Sequence, residues 1–333
     1  MKAKKQILPF FIPNNGCNHA CVFCNQNKIS GAQKSATSKD VIDAAGSFFT
    51  TDYPAEIAFY GGSFTGIPVE VQNELLGAAY SFVNGHKDRS IRISTRPDLI
   101  DGSIIDRLIG YGVDTIELGA QSMCDDVLLL SKRGHNASHV DIAAKLIKKA
   151  GLTLVLQMMT GLPGDSIEKS IFTAKRFIEM EADAVRIYPT VVVANTQLHD
   201  MWQNGAYREH TIEDAIEYCV ELCELFIEAR VPILRLGLNP TESLTAGDAV
   251  AGAYHPALGE LVYSRMYRKK VTALLESLPK GENATIFVPL GARSKMVGQH
   301  RSNINYLKEY FSLKSIKVIE TTMEFDDIFI EIA

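Results

Sequence analysis

From residue 7 onward the chain alternates short apolar runs with longer amphipathic stretches. The runs 7–13, 57–60, 90–94, 115–118, 153–158 and 184–187 are four to seven residues long and rich in β-branched and aromatic side chains, so they predict strands. Between them, apolar residues recur at helical spacing over 38–51, 69–83, 103–109, 139–149 and 166–180, with Ser38 read as the cap of the first. Six strand-helix units in that order imply parallel strands joined by right-handed crossovers. The predicted fold is α/β, a partial (β/α)6 TIM-type barrel.

The polar and glycine-rich segments have a fixed place in this pattern. Gly61-Gly62-Ser63-Phe64-Thr65-Gly66, Thr95-Arg96-Pro97-Asp98, Gly119-Ala120-Gln121-Ser122, Thr160-Gly161-Leu162-Pro163-Gly164 and Tyr188-Pro189-Thr190 each follow a predicted strand. In barrels of this kind the chemistry lies at the C-terminal ends of the strands, so these segments are expected around one mouth. Thr211-Ile212-Glu213-Asp214 predicts a capping box opening a further helix, and 233–236 reads as a seventh strand. From about residue 260 the pattern changes to a helix over 261–278, a strand over 285–288, a polar loop, a helix over 304–311 and strands near Ile316 and Ile328. Two domains follow: 1–259, the barrel with an extension, and 260–333, a small basic αβ element.

Composition narrows the class. Among 333 residues 46% are hydrophobic, but no apolar run approaches the roughly 18 residues needed to span a bilayer. The apolar patch after the basic start is broken by Pro9 and ends at Pro13, too short for a signal peptide. Six cysteines without an export signal suit a reducing, cytoplasmic setting and no membrane partner. The net charge of −5 argues against nucleic-acid binding through bulk charge, yet residues 261–319 carry eleven Lys/Arg against three Glu, a net +8 that leaves −13 elsewhere. Arg265, Arg268, Lys269, Lys270, Arg293, Lys295 and Arg301 are therefore candidates for a phosphate-binding patch, against the alternative of a solvated surface.

The most specific chemistry is Cys17-Asn18-His19-Ala20-Cys21-Val22-Phe23-Cys24, three thiols in C-x3-C-x2-C spacing at the end of the first strand. A cubane iron-sulfur cluster takes four thiolates, so three can hold three irons and leave the fourth open to a bound molecule. The alternatives are a zinc site completed by His19, or inert packed thiols. Cys219 and Cys223, four apart on a helix with an apolar stripe, are expected in the core, and Cys124 is assigned no role. At the mouth, paired glycines let backbone approach a ligand closely. Arg133, Gln121 and Gln157 supply a guanidinium and two amides suited to a carboxylate and to hydroxyls. Arg96 is read as a ligand contact or as the partner of Asp98. His135 and Tyr188 are possible substrate-facing groups, whereas His255, Trp202 and Tyr207 are read as turn and packing residues. No G-K-[ST] follows the Gly-Gly turn, so no nucleotide P-loop is predicted. No residue is assigned as a catalytic acid or base.

These motifs together resemble the radical S-adenosylmethionine (SAM) superfamily and, within it, the family of the elongator-complex catalytic subunit. The resemblance rests on the cysteine triplet with Phe23 before its third member, on the strand-end segments given above, and on Arg133-Gly134-His135, Met158-Met159-Thr160-Gly161-Leu162-Pro163 and Ile187-Tyr188-Pro189-Thr190. It covers roughly residues 10 to 210. It implies a barrel of the radical SAM type, a 4Fe-4S cluster on Cys17, Cys21 and Cys24, and reductive cleavage of SAM to methionine and a 5'-deoxyadenosyl radical with an electron from an external one-electron reductant. The same strands are similar to those of the oxygen-independent coproporphyrinogen dehydrogenases. That similarity gives Gln121, Arg133 and Gln157 SAM-contacting positions, Gln157 replacing an aspartate. Phe23, Gly61, Gly62 and Ser63 complete the expected cofactor contacts. In the elongator-like family the substrate is tRNA, but the cysteine loop here is more compact and no acetyltransferase domain follows residue 260. The alternatives are a small-molecule substrate and a non-catalytic iron-sulfur carrier or cofactor chaperone.

Overall fold

The computed structural model describes residues 5–12, 17, 20–32, 34–50, 53–279, 281–323 and 327–333; Pro13, His19 and the expected helix end at 51 lie outside them. The chain divides into two compact units, Met1–Ala215 with Leu222–Pro256, and Ile216–Glu221 with Ala257–Ala333.

In the first unit the strands are β1 (Gln6–Ile12), β2 (Ala55–Gly61), β3 (Arg89–Thr95), β4 (Val113–Gln121), β5 (Thr153–Thr160), β6 (Ala184–Pro189), β7 (Val191–Val193), β8 (Ile233–Leu236) and β9 (Ala249–Gly252). The helices are α1 (Gln26–Ser30), α2 (Ser38–Phe48), α3 (Val69–Val83), α4 (Gly102–Gly110), α5 (Asp125–Leu130), α6 (Ala137–Lys149), α7 (Ile167–Glu179), α8 (Gln197–Gln203) and α9 (Ile212–Glu228), of which Ile216–Glu221 are grouped with the second unit. One sheet runs β1-β2-β3-β4-β5-β6-β8, and every pair in it is parallel. The seventh strand expected at 233–236 is thus present. It extends the sheet beside β6 and does not pair with β1, so the barrel stays open. α2 is capped by Thr37, whose hydroxyl accepts from Asp40 N–H, one residue before the expected Ser38. The Thr211 capping box opens α9 as expected, and Cys219 and Cys223 are fully buried.

The outer face of the sheet is apolar: Ile57, Ile91, Ile93, Ile116, Leu118 and Leu156 are fully buried. The inner face is not. Glu56 on β2, Arg92 on β3, Glu117 on β4, Gln157 on β5 and Arg186 on β6 form a chain of contacts across five neighbouring strands. Arg92 Nε donates to Glu56 Oε2 (2.6 Å) and its Nη1 to Glu117 Oε1 (2.6 Å). Arg186 Nη2 donates to the same Glu117 oxygen (2.9 Å), and Gln157 Nε2 to Glu117 Oε2 (2.8 Å). Glu117 is completely buried, which its two guanidinium partners make tolerable.

Sequence reading missed a two-stranded antiparallel ribbon of β7 and β9. Its first strand follows β6 after Thr190 alone, so the pattern merges them. Gly252 makes the ribbon possible: at φ +86° its missing Cβ would lie 2.9 Å from Thr190 O.

The second unit holds α10 (Leu258–Glu276), β10 (Asn283–Pro289), α11 (Arg293–Val297), α12 (Ser302–Phe311), β11 (Ser315–Thr321) and β12 (Phe329–Ile332), with sheet order β11-β10-β12. β10 pairs parallel to β11 and antiparallel to β12. Val271, Leu275, Ile286, Val288, Met296, Ile304 and Leu307 form its core. The buried Asn303 amide donates to Ser264 O (2.8 Å) and to Ser264 Oγ (2.9 Å), binding α12 to α10.

His210, between α8 and α9, is buried with its Nε2 3.1 Å from Thr160 Oγ1. Burial pushes its imidazole down to about 4, against an ordinary value near 6.5. The folded state therefore prefers neutral His210, a contribution fully present above about pH 6.5 and lost as pH falls toward 4. The shift is worth roughly 3 kcal/mol. The thermal midpoint of the apo chain should fall over that window, and His210→Gln should flatten the fall; an equally steep profile in the variant would refute the assignment.

Candidate active site

The cysteine loop leaves the end of β1 and is pinned at Val22. Its N–H donates to Ser131 O (3.2 Å), and its C=O accepts from Leu198 N–H at the start of α8 (2.7 Å). The short α1 that follows is tied down by Lys28 Nζ to Asp248 (2.6 Å) and by Thr241 Oγ1 to Lys28 O (3.1 Å).

All ten side chains or glycines expected at the site line one cavity of about 430 Å3: Cys17, Cys21, Cys24, Phe23, Gly61, Gly62, Ser63, Gln121, Arg133 and Gln157. Ser94, Thr95, Arg96 and Gly119 line it as well. Gly61 has φ +106°, and a Cβ there would lie 3.0 Å from the Ile12 carbonyl, so glycine is required where β2 passes the root of the cysteine loop. Arg133 Nη1 donates to Cys21 Sγ (3.2 Å) and Nη2 to Gly119 O (2.5 Å). A Cβ on Gly119 would meet Gln121 Nε2 at 3.0 Å and Arg133 Nη2 at 3.3 Å, so its bareness lets both pack over the strand end.

Gln121 is a non-glycine residue at φ +70°, next to a register shift between β4 and β5. A left-handed residue at a bulge is a strained conformation of the kind that re-aims a side chain. Its Oε1 is buried without a partner, as are Arg133 Nε and Arg96 Nη1. Such orphaned polar atoms around a polar cavity suit a ligand rich in hydrogen-bonding groups.

The thiols suit a cluster. Ser63 Oγ lies 3.6 Å from Cys17 Sγ, and Gln26 Nε2 donates to Cys24 Sγ (3.6 Å). Burial first, and then the neighbouring Cys21, pushes the Cys24 thiol up to about 12. A bare thiolate is costly there, and bound metal charge reverses that preference. Among the described residues no three His, Cys, Asp or Glu side chains converge as ligands of a single ion.

Gln157 is oriented by its neighbour. Glu117 already accepts from two arginines, and Gln157 meets it through Nε2, so the amide turns its NH2 toward Glu117 and its carbonyl oxygen elsewhere. Gln157 can thereby accept from a hydroxyl as an aspartate would, although its charge differs.

A second cavity of about 420 Å3 shares Phe23, Cys24, Gln26, Gly61, Ser94, Gln121 and Gln157 with the first. Its further walls include Phe11, Tyr60, Met159, Tyr188, Pro189, Val191, Val193 and Leu238. Its only charged lining residues among those described are Glu117 and Arg186, which neutralise each other.

Of the other candidates, Arg96 does both things considered for it: Nε and Nη2 grip Asp98 (2.9 and 3.1 Å) while Nη1 stays unpartnered at the cavity. His135 lines neither cavity. Its Nε2 lies 3.2 Å from Ala120 O, and burial, then Arg133, pushes it down to about 3, so it backs the site as a neutral ring. Tyr188 lies in the wall of the second cavity; His255 lines neither, Trp202 stacks on His199, and Tyr207 donates to Gly161 O. The residues that sequence reading missed are Glu56, Arg92, Glu117 and Arg186. The available signal was a charged residue on three predicted strands, Arg92, Glu117 and Arg186, and a fourth, Glu56, just before another, alternating in sign along the strand order.

Comparison with known proteins gives this geometry its context. Residues 11–177, half of the chain, match the radical SAM superfamily model. The chain belongs to the radical SAM superfamily. It is accordingly an enzyme, and residues 182–268 match the radical SAM C-terminal domain. Among relatives, tRNA uridine(34) acetyltransferase of Methanocaldococcus infernus is 30% identical over 237 residues, 64% of this chain and 43% of that protein. Human Elongator complex protein 3 is 26% identical over 231 residues, 63% of this chain and 41% of that protein. The chain thus spans about two fifths of the length of these curated relatives. In fold it is similar to the archaeal Methanocaldococcus infernus Elp3, with TM-score 0.62 and 24% identity over 80% of this chain and 63% of that one. It is also similar to Escherichia coli coproporphyrinogen III oxidase, with TM-score 0.52 and 18% identity over 68% and 53%.

Glu117→Gln removes the shared counter-charge of two largely buried arginines and should cost about 3–5 kcal/mol, whereas Gln157→Leu, which deletes one hydrogen bond to that carboxylate, should cost about 1.5–3. Thermal unfolding of the anaerobic apo chain should show the first midpoint lowered on the order of 10 °C. Equal small shifts would mean that the network carries little of the fold.

Proposed function

We propose that Cys17, Cys21 and Cys24 hold a 4Fe-4S cluster and that the 430 Å3 cavity above them binds SAM. The observation that carries this reading is that ten residues from five separate chain segments, expected at the site from their chemistry and from the family resemblance, line that one cavity. When bound there, the cluster supplies an electron, received from an external one-electron reductant, for reductive cleavage of SAM and so generates a 5'-deoxyadenosyl radical. The protein's own groups do the binding. Arg133 lies against Cys21 and supplies positive charge for a carboxylate, Gln121 and Gln157 offer amide oxygens to hydroxyls, and the Gly61-Gly62 backbone admits the ligand's methionine part.

We further propose that the substrate is RNA, specifically tRNA, drawing on the printed activities of the relatives. One observation favours this over a tetrapyrrole. Among the described residues lining the adjoining cavity the one cation, Arg186, is already matched by Glu117, so a neutral heterocycle, which would meet aromatic walls and amides, suits it better than a ligand with several carboxylates.

Anaerobic reconstitution should give close to four irons per chain, with 5'-deoxyadenosine formed from dithionite and SAM. Replacing any of Cys17, Cys21 or Cys24 with Ala should remove the cluster, while Cys219→Ala should retain it. Arg133→Ala should keep iron but weaken SAM binding tenfold or more, since hydrogen bonds to charged groups contribute about 1.5–3 kcal/mol. Stoichiometric zinc, or a cluster surviving loss of Cys21, would overturn the assignment; a bound cluster with no SAM cleavage would favour a carrier or chaperone.

A further inference from the structure

The charge excess of 261–319 does not describe the second unit as a body. Counted over Ile216–Glu221 and Ala257–Ala333, eleven Lys/Arg meet eleven Asp/Glu, so the unit is neutral. Several of the basic residues are already engaged. Lys269 pairs with Glu221 (2.8 Å), Arg268 stacks on Tyr306 (4.5 Å) and Lys295 lies over Tyr263 (5.2 Å). What distinguishes the unit is local.

Arg293, Arg301 and Lys317, all exposed, line one cavity of about 590 Å3 floored by Val297 and Ile304. Among the described residues none of the three makes an ion pair. The single acid lining it, Glu320, has Oε1 committed to the N–H groups of Gly291 (2.8 Å) and Arg293 (3.3 Å). All five consecutive residues 316–320 of β11 line the groove. Alternate residues of a strand face opposite sides, so the groove must run along the strand's edge, and β11 is an edge strand. The opposite bank is the α11–α12 face bearing Arg293 and Arg301.

The turn that carries Arg301 is held in an unusual shape. His300 and Arg301 are consecutive left-handed residues at φ +51° and +62°. Gly298, at φ +75°, packs so closely that a Cβ would lie 2.5 Å from Ser302 Oγ. Sheet edges and left-handed turns both present backbone N–H groups, and with cations around them they form anion-binding concavities.

We propose that this groove binds the phosphodiester backbone of an RNA strand, contacting up to three phosphates through Arg293, Arg301 and Lys317. This rests on the reading of RNA as substrate and gives that substrate a holding site on the second unit. An added peptide strand is the competing occupant of a sheet edge. The charged Lys317 and Glu320 on β11 are of the type that discourages strand addition, whereas three cations without an ion pair among the described residues attract phosphate.

The test is filter binding of unfractionated tRNA to the anaerobically reconstituted full chain at 50 and 200 mM salt, for the wild type and for Arg293→Glu/Arg301→Glu/Lys317→Glu. Each phosphate contact contributes roughly 0.7 to 0.9 to the log-log salt slope, so three contacts account for a roughly 20- to 40-fold loss of affinity between those salts. The triple variant should bind more weakly at 50 mM with a slope shallower by about 2–3 units, at unchanged iron content and thermal midpoint. Should it misfold, Arg301→Gln alone should lower the slope by about one unit. Unchanged binding in folded variants would overturn the groove while leaving RNA as substrate. Negligible binding by the wild type would overturn both. Binding of a poly-glutamate peptide that the triple variant loses, with tRNA binding unaltered, would assign the groove to an acidic peptide instead.

Discussion

A fully buried carboxylate at the middle of β4 constrains everything around it. Glu117 reaches Arg92 on one neighbouring strand, Gln157 on the other and Arg186 one strand further, while Arg92 reaches Glu56. Breaking such a pair by deleting one partner typically costs about 3–5 kcal/mol, because the remaining charge is stranded without water. The network therefore acts as a register lock. A one-residue slip of any of these strands would turn its charged residue to the apolar outer face and strand its partner inside. The interior that results is polar but electrically balanced, with two carboxylates against two guanidinium groups.

That balance shapes the two adjoining cavities differently. Above the thiols, Arg133 and the free Nη1 of Arg96 give local positive character, and strained or bare backbone at Gln121, Gly119 and Gly61 brings side chains and main chain close to the space. Beyond Gln157 the walls turn aromatic and aliphatic and the charges cancel. One side thus favours an anionic or zwitterionic ligand, and the other an uncharged one. Gln157 stands between them with its orientation set from below by Glu117.

How much of this the sequence disclosed follows from the range of the interactions. Strands β1 to β6 and the helices between them were legible because each is encoded by a local period, and the cysteine loop because its spacing is local too. The convergence of Gly61, Gln121, Arg133 and Gln157 was legible at one remove, through the rule that parallel strands end at a common rim. The Glu56-Arg92-Glu117-Arg186 network was not, since each member alone is just a polar residue in a strand, and its meaning lies in pairings across 25 to 69 positions of sequence. The β7–β9 ribbon was hidden because Val191–Val193 continues the apolar run of β6 and its partner is only the four residues Ala249–Gly252. The basic segment misled in the opposite way: a window of sequence showed an excess that the whole unit, which also counts Glu260 and the acids of 216–221 and 320–331, does not have.

The unclosed sheet has a further consequence. The second cavity is lined by Ile7, Pro9 and Phe11 of β1 and by Leu238 and Asn239 just past β8, so it reaches both free edges of the sheet. Pro9 leaves β1 without one ladder donor, which suits a strand meant to remain terminal. A closed stave barrel is a cup, filled only over its lip. This one lacks a stave between β1 and β8, so its wall there is built from α1 and from the residues just past β8, which are free to differ in sequence without breaking a ladder of backbone hydrogen bonds.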